Sequence, residues 1–401
     1  LVHRANQNGG SDNITVAVCT RSEEENEIKE IQSKFDQVEN LIEDGELKKA
    51  QNRLRSFESH LLTVKESAEQ RGFDEIYDKA TGLENRRKEY LTEITRQLWT
   101  NTIPKEIPRA PNLSVDYDSL INEEQIGSGG NAVVNKMTLS TTDGNVTLAV
   151  KEPRISGTLH TEQVNQILQE AETWDKLDDH DHIVGVIDYG REPIPWIAME
   201  YMDGGHLGEQ TGEIETAQAL WTAIAVTKGV RHAHRRGIAH LDLKPQNILF
   251  RTIEDMWDVP KVADWGLSKH LLDHSKSIDG YTPAYSAPEQ LDEGYGKADD
   301  ITDVYQLGAV FYELFTGIPP FDAETTGKVI RQILDEDPTP PSEIADVPDE
   351  LDTVLLTALS KNKKDRYEDI LLLRNALQSV FEEHTSVDIN QIDQEIGYVT
   401  E

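Results

Sequence analysis

A carboxylate, a cation and a side-chain amide stand at fixed offsets in the loop-like stretch His240-Leu241-Asp242-Leu243-Lys244-Pro245-Gln246-Asn247-Ile248-Leu249, carried by Asp242, Lys244 and Asn247. Upstream, Ile126-Gly127-Ser128-Gly129-Gly130-Asn131-Ala132-Val133-Val134 forms a Gly-rich turn between apolar runs. Such a turn lets backbone N–H groups approach phosphates without side-chain obstruction. Taken alone, a flexible hairpin with no ligand is its commoner explanation. Leu148-Ala149-Val150-Lys151 then reads as a short apolar strand with a single Lys, suited to setting an ammonium beside the α- and β-phosphates of a nucleotide. Residues 163–177 pattern as a helix carrying Glu170 and Glu172, either of which could orient that ammonium by ion pairing. Glu170 has the better spacing to Leu177 and Ile183.

The elements around these residues fit a chain of 401 residues, long enough for a catalytic domain and an accessory segment. An apolar content of 37% supports globular folding, and no run approaches the roughly 18 apolar residues that a membrane-spanning helix requires. The lone cysteine, Cys19, excludes an internal disulfide and a multi-cysteine zinc site, which fits a reducing, cytoplasmic setting. A net charge of −35 argues against nucleic-acid partners, whose phosphates are met by excess Lys and Arg. The acidic excess reads either as a merely acidic surface or as adaptation to high salt, where screening relieves self-repulsion.

Along the chain, Gly9 to Thr20 reads as a turn followed by an alternating β-branched strand. This short stretch resembles the last motif and closing strand of metal-dependent type 2C protein phosphatases, with Asp12 at a metal-binding position; an unrelated hairpin strand is the alternative. Because Leu1 enters directly into this run, residues 1–21 are expected to be the remnant of an upstream domain, without phosphatase activity of their own. From Ser22 the pattern turns helical. Ser22 and Glu25 make a capping box, and Ile28, Ile31, Phe35, Val38 and Ile42 form a three-four stripe ending at Asp44-Gly45. A second stripe runs from Leu47 to Ala68 and stops near Gly72, and a third runs from Ile76 to Leu98. Residues 22–100 are therefore expected to pack as an antiparallel helical bundle, serving either as a self-contained spacer or as a dimerising coiled coil. Pro104, Pro108 and Pro111 predict a semi-extended linker over 101–116.

The stretch around Asp242 resembles the catalytic loop of eukaryotic-type protein kinases. The rest falls in that family's order: Asp264-Trp265-Gly266 at the metal-binding triplet, Ala287-Pro288-Glu289 closing the activation segment, Asp303 to Gly308 opening a large helix, and Arg366 as the partner of Glu289. The joint match over this span is specific where each motif alone is not. The resemblance implies an α+β fold for residues 117–384, with a small antiparallel β lobe plus one helix and a larger helical lobe, preceded by the all-α segment and followed by an acidic tail at 385–401. It also implies ATP-dependent transfer of a phosphoryl group to Ser or Thr hydroxyls of protein substrates. Asp242 would orient or accept the hydroxyl proton, Lys244 would stabilise the transferring group, and Lys151 and Glu170 would position the nucleotide. Asn247 and Asp264 would hold Mg²⁺, with Mn²⁺ as the alternative. ATP would lie beneath residues 126–134 and beside Ala149, with Glu200 to Met202 as hinge and Met199 behind the adenine. Lys244 and Thr282 speak for Ser/Thr rather than Tyr as acceptor.

Three departures bear on this resemblance. Ala132 replaces a third glycine and Trp265 replaces the usual Phe. If a stacked spine is kept as Val186, Trp174, Trp265 and His240, it must pack two indoles. Leu241 replaces an Arg that in many kinases pairs with a phosphate on the activation segment, so that segment is expected to need no phosphorylation; Lys261 or Lys269 are the candidate substitutes. Asp178-Asp179-His180-Asp181-His182 contains good metal ligands, yet a polar turn is expected there in any case. The competing function is a pseudokinase scaffold, against which the complete catalytic set stands.

Overall fold

The computed structural model describes residues 11–128, 132–154, 161–177, 180–265, 283–385 and 387, with side chains in the first helix described from Glu24 onward. It divides into two compact units, one reaching to Thr102 and one running from Ile103 to His384.

The first unit is all helical: α1 (Ser11–Glu43), α2 (Leu47–Ser56), α3 (Glu58–Arg71) and α4 (Asp74–Thr102). The apolar stripes supply its core, in which Ile31, Phe35, Val38, Leu54, Phe57, Val64 and Ala80 are buried together. Phe57 packs edge-on against Phe35 at 5.1 Å. It also breaks the second stripe into two helices, because its own backbone (φ −114°, ψ 12°) leaves the helical region. Gly72 ends α3 in a left-handed conformation at φ 69°, open to glycine at no steric cost.

Over residues 11–20 the expected strand is not there: α1 already runs from Ser11, and the Ser22 capping box falls inside it; Gly9 and Gly10 lie outside the described residues. A strand needs a neighbour to pair with, and no described strand takes residues 11–20 into its ladder. A helix nucleated on the stripe beginning at Ile28 extends toward its N-terminus at one hydrogen bond per residue. The likeness to a type 2C phosphatase, drawn from the motif around Asp12 together with that strand, is therefore not supported.

The second unit begins with an irregular stretch and a five-stranded antiparallel sheet of β1 (Ile121–Ser128), β2 (Ala132–Thr141), β3 (Gly144–Pro153), β4 (Val186–Gly190) and β5 (Trp196–Glu200), in the order β1-β2-β3-β5-β4. Its register aligns Gly127 with Val134, Val134 with Lys151, and Lys151 with Ile197 across four strands. Helix α5 (Thr161–Asp175) packs against this sheet through Ile167 and Ala171, which meet Ile197.

The helical lobe is built around α6 (Thr216–His234) and α8 (Asp300–Thr316), whose residues are buried on nearly every side, as expected of central helices apolar all round. A two-stranded ribbon, β6 (Ile248–Arg251) with β7 (Val259–Val262), lies beside the loop that precedes it. The short α7 (Pro288–Leu291) and the helices α9 (Thr326–Asp335), α10 (Glu350–Ala358) and α11 (Ile370–Thr385) complete the lobe. Among the described residues no helix is long and apolar enough to cross a membrane.

Candidate active site

Lys151 lies toward the end of β3 but is paired on both sides, with Val134 and Ile197, so the sheet rather than a flexible loop sets its position. Its ammonium meets Glu170 Oε1 of α5 at 2.5 Å and Asp264 Oδ1, just beyond β7, at 2.7 Å. Of the two candidate carboxylates, Glu170 is the one that Lys151 meets. Burial opposes the charge on Lys151, but Asp264 and Glu170 outweigh it and hold the ammonium protonated above its usual range. For Asp264, burial works against ionisation and Lys151 overcomes it, keeping the carboxyl well below the ordinary carboxylate range. Glu170 is pushed the other way, up to about 7: burial raises it, Lys151 opposes, and the Asp264 carboxylate adds to the rise.

Asp242, Lys244 and Asn247 come together in the loop between α6 and β6. Lys244 Nζ lies 2.8 Å from Asp242 Oδ2, and Asn247 Nδ2 donates to the Asp242 carbonyl at 2.8 Å. This use of Nδ2 leaves the Asn247 amide oxygen as an acceptor. Asp264 keeps a third of its side chain exposed. A carboxylate and an amide oxygen are the hard donors that a divalent cation such as Mg²⁺ takes, so the residues present fit one.

Asp303 of α8 anchors the loop. Its two carboxylate oxygens accept the backbone N–H groups of His240 and Leu241, each at 2.7 Å, and His234 Nε2 lies 2.7 Å from the same group. His240 Nδ1 accepts the Asp242 N–H, so Nε2 carries the proton toward the Ala263 carbonyl 3.0 Å away. The His240 and Trp265 rings meet at 4.7 Å. Both indoles are buried, Trp174 donating to the Val184 carbonyl and Trp265 to that of Val262.

Of the nucleotide-binding candidates, Ile126, Gly127 and Ser128 lie on β1 and Ala132, Val133 and Val134 on β2. A Cβ at Gly127 would meet only Val134, at 3.5 Å, so the chain's own packing does not demand glycine there. Ala149 pairs with Met199 in the β3–β5 register, and Met202 is buried after the end of β5. Gly129, Gly130, Asn131, Gly266, Lys269, Ser275, Ser277 and Thr282 lie outside the described residues.

Glu200, expected at the hinge, has ionic partners of its own. Its carboxylate turns away to Lys261 of β7, with contacts of 2.8 and 2.9 Å, and accepts the Gly185 N–H at 2.7 Å. Lys261, 1% exposed, also donates to the Pro108 carbonyl. Lys261 is thus committed to Glu200 and Pro108 and does not replace the missing Arg at 241. Residues 103–116 are fastened at further points: Arg109 to Asp181, the Val115 N–H to Asp188, and Ala110 so close to Gly185 that a Cβ there would strike it at 2.5 Å. Nothing in the local sequence signals these pairings, because a backbone carbonyl such as that of Pro108 carries no residue pattern.

Two other groups resolve clearly. Arg366 forks onto Glu289 with both contacts at 2.8 Å. His182 is buried with Nδ1 on the Pro260 carbonyl, and no cluster of metal ligands occurs among the described residues; Asp178 and Asp179 fall outside them.

A five-stranded antiparallel lobe over a helical lobe, with a charged Lys–Glu–Asp group between them, defines the two-lobed phosphotransferase class. The chain belongs to the protein kinase family: the family model described as protein kinase domain matches residues 120–381. Similar proteins include serine/threonine-protein kinase Pkn1 of Myxococcus xanthus, 35% identical over 60% of this chain and 35% of that protein. PknB of Mycolicibacterium smegmatis is 36% identical over 51% of this chain and 34% of its own length. PknL of Mycobacterium tuberculosis is 33% identical over 65% of each. The chain thus spans about a third to two thirds of the relatives it matches.

Proposed function

We propose that this protein transfers the γ-phosphoryl group of ATP to Ser or Thr hydroxyls of protein substrates. The observation that carries the proposal is the Lys151 ammonium held at once by Glu170 and Asp264, facing a loop in which Lys244 and Asn247 surround Asp242. Phosphoryl transfer of this kind is mostly positioning and charge stabilisation. Lys151, fixed by Glu170, positions the α- and β-phosphates beneath residues 126–134. Asp242 orients the attacking hydroxyl and receives its proton, while Lys244 sits beside the charge that develops on the moving group. Asn247 and Asp264 would hold Mg²⁺ or Mn²⁺, which when bound neutralises phosphate charge. The names of the relatives support Ser/Thr as acceptor. The lone Cys19 supports a cytoplasmic setting, and the net charge of −35 speaks against nucleic-acid partners. We place the domain limits at 22–100 for the helical unit, a possible dimerising element, and 117–384 for the kinase domain, with 101–116 between them.

Asp242→Asn tests this reading. With Mg²⁺ and ATP the purified protein should label itself or a generic protein on Ser or Thr, and the variant should not. Label that persists undiminished in the variant, or that appears mainly on Tyr, would overturn the assignment.

A further inference from the structure

Asp242 lies between two peptide groups that a single side chain grips. Gln306 of α8 accepts the Leu243 N–H through Oε1 at 3.1 Å and donates from Nε2 to the Leu241 carbonyl at 3.1 Å. The same Nε2 also donates to Gln290 Oε1 at 3.1 Å. Gln290, in α7, donates its own Nε2 to the Leu241 carbonyl at 2.9 Å and accepts the Ala287 N–H at 3.0 Å. Gln306 is 2% exposed, so its hydrogen bonds are made away from competing water. Both of its amide hydrogens and its oxygen are engaged. No other uncharged side chain of that length offers two donors and an acceptor from one planar group.

Leu241 needs such a grip. Its φ of 61° lies in the left-handed region that a non-glycine residue enters at a cost. Its buried apolar side chain supplies no polar anchor. The conformation is held by the backbone: N–H to Asp303, carbonyl to both glutamines. Asp303 fixes the residues before Asp242, but nothing in its reach fixes Leu243. Among the described residues, only Gln306 touches both flanks.

We infer that Gln306 is a positioning residue for phosphoryl transfer: it sets the orientation of Asp242 by clamping the peptides on either side. With Gln290 it also ties the segment around Ala287-Pro288-Glu289 to the catalytic loop through neutral amides. The inference rests on the proposed kinase activity. Its specificity lies in the hydrogen bonds, since methionine preserves the length of glutamine while removing both donors and the acceptor.

The test is steady-state kinetics of Gln306→Met, Gln290→Met and the double variant, on protein whose nucleotide binding is first confirmed by titration. Gln306→Met should lose about 30- to 100-fold in kcat while KM for ATP stays within about twofold, because misplacement of a reacting group by about 1 Å is that costly. Gln290→Met should lose less. The double variant should be little worse than Gln306→Met, since both glutamines act on one carbonyl. An unchanged kcat in Gln306→Met overturns the inference, as does a loss shared equally with KM for ATP or a double variant equal to the product of the singles. Should Gln306→Met fail to fold, Gln290→Met decides, and retention of full kcat there overturns the coupling. An inactive wild type would instead refute the kinase reading itself, so the two failures are distinct.

Discussion

Replacing Arg366 by Met should unfold the kinase unit more easily than any other single change to its surface-remote polar groups. All five guanidinium N–H groups are used: two on Glu289, and one each on the carbonyls of Ser360, Ile301 and Lys361. Both side chains are fully buried. Removing the cation leaves the Glu289 carboxylate with Thr302 as its remaining side-chain partner, together with three carbonyls short of a donor. Breaking a buried pair from one side costs about 3–5 kcal/mol, and the orphaned carbonyls place this case at the upper end. For a unit of this size that is a fall in Tm of about 5–9 °C. Calorimetry with and without Mg²⁺ and a non-hydrolysable nucleotide identifies the relevant transition as the one that ligand moves upward. The paired variant Glu289→Leu with Arg366→Met should recover at least about 2 kcal/mol, because an apolar pair carries no desolvation penalty. There is also a pH signature. Burial opposes ionisation of Glu289, but Arg366 prevails and holds its carboxyl below the usual 4.5. The stability this gives is present above that pH and is lost as pH falls through the lowered value, so wild type and Arg366→Met should converge in acid. A loss under about 1 kcal/mol at neutral pH, or no recovery in the double variant, would refute the reasoning.

Three further outcomes are expected. With Glu170 titrating near 7, its pairing with Lys151 weakens as it takes up a proton, so kcat/KM for ATP should fall as pH goes from about 8 to 6. Glu170→Gln should be slow with that limb gone; a variant that keeps the wild-type limb contradicts the assignment. Lys261→Met leaves Glu200 buried without its cation, and should cost about 3 kcal/mol in a urea melt with weakened nucleotide binding; unchanged melting and binding would show the pair to be idle. Because Leu241 cannot pair with a phosphate, protein stripped by an added phosphatase, and Ser275→Ala and Ser277→Ala variants, should retain turnover; a loss beyond about tenfold, equal to 1.4 kcal/mol, refutes this.

What the sequence made legible was whatever local pattern encodes. The apolar stripes of α1 to α4 appear as the core of the helical unit because helical spacing alone decides which residues share a face. The loop at Asp242 was visible because its functional groups are neighbours in the chain. What stayed hidden was long-range. Glu200 and Lys261 are 61 positions apart and Gln306 and Leu241 65, and neither pair belongs to a periodic pattern. Lys261 looked like a free cation able to stand in for an Arg because one-dimensional reading has no record of burial. The strand at Gly9 to Thr20 failed for a related reason: β-branched alternation describes a surface that fits a sheet, and it has force only where a sheet edge receives it.

The substitution at 241 and the glutamines around it belong to one physical problem. An Arg at that place would bring a charge into a site where Asp303 already spends both oxygens on backbone N–H groups, and it would need a second anion to be satisfied. With Leu241 the side chain demands nothing. The left-handed turn must then be held through its peptide groups, and among the described residues the donors that reach the Leu241 carbonyl are those of Gln290 and Gln306. Such a network is strong only when every member is satisfied, since a half-paired amide in a buried site costs as much as a good one contributes. The order of the catalytic loop therefore depends on α7 staying docked against α8, and the Arg366–Glu289 pair is what docks it: Glu289 is the residue next to Gln290 and also takes Thr302 of α8. Loosening that pair should disturb Asp242 before it unfolds the lobe.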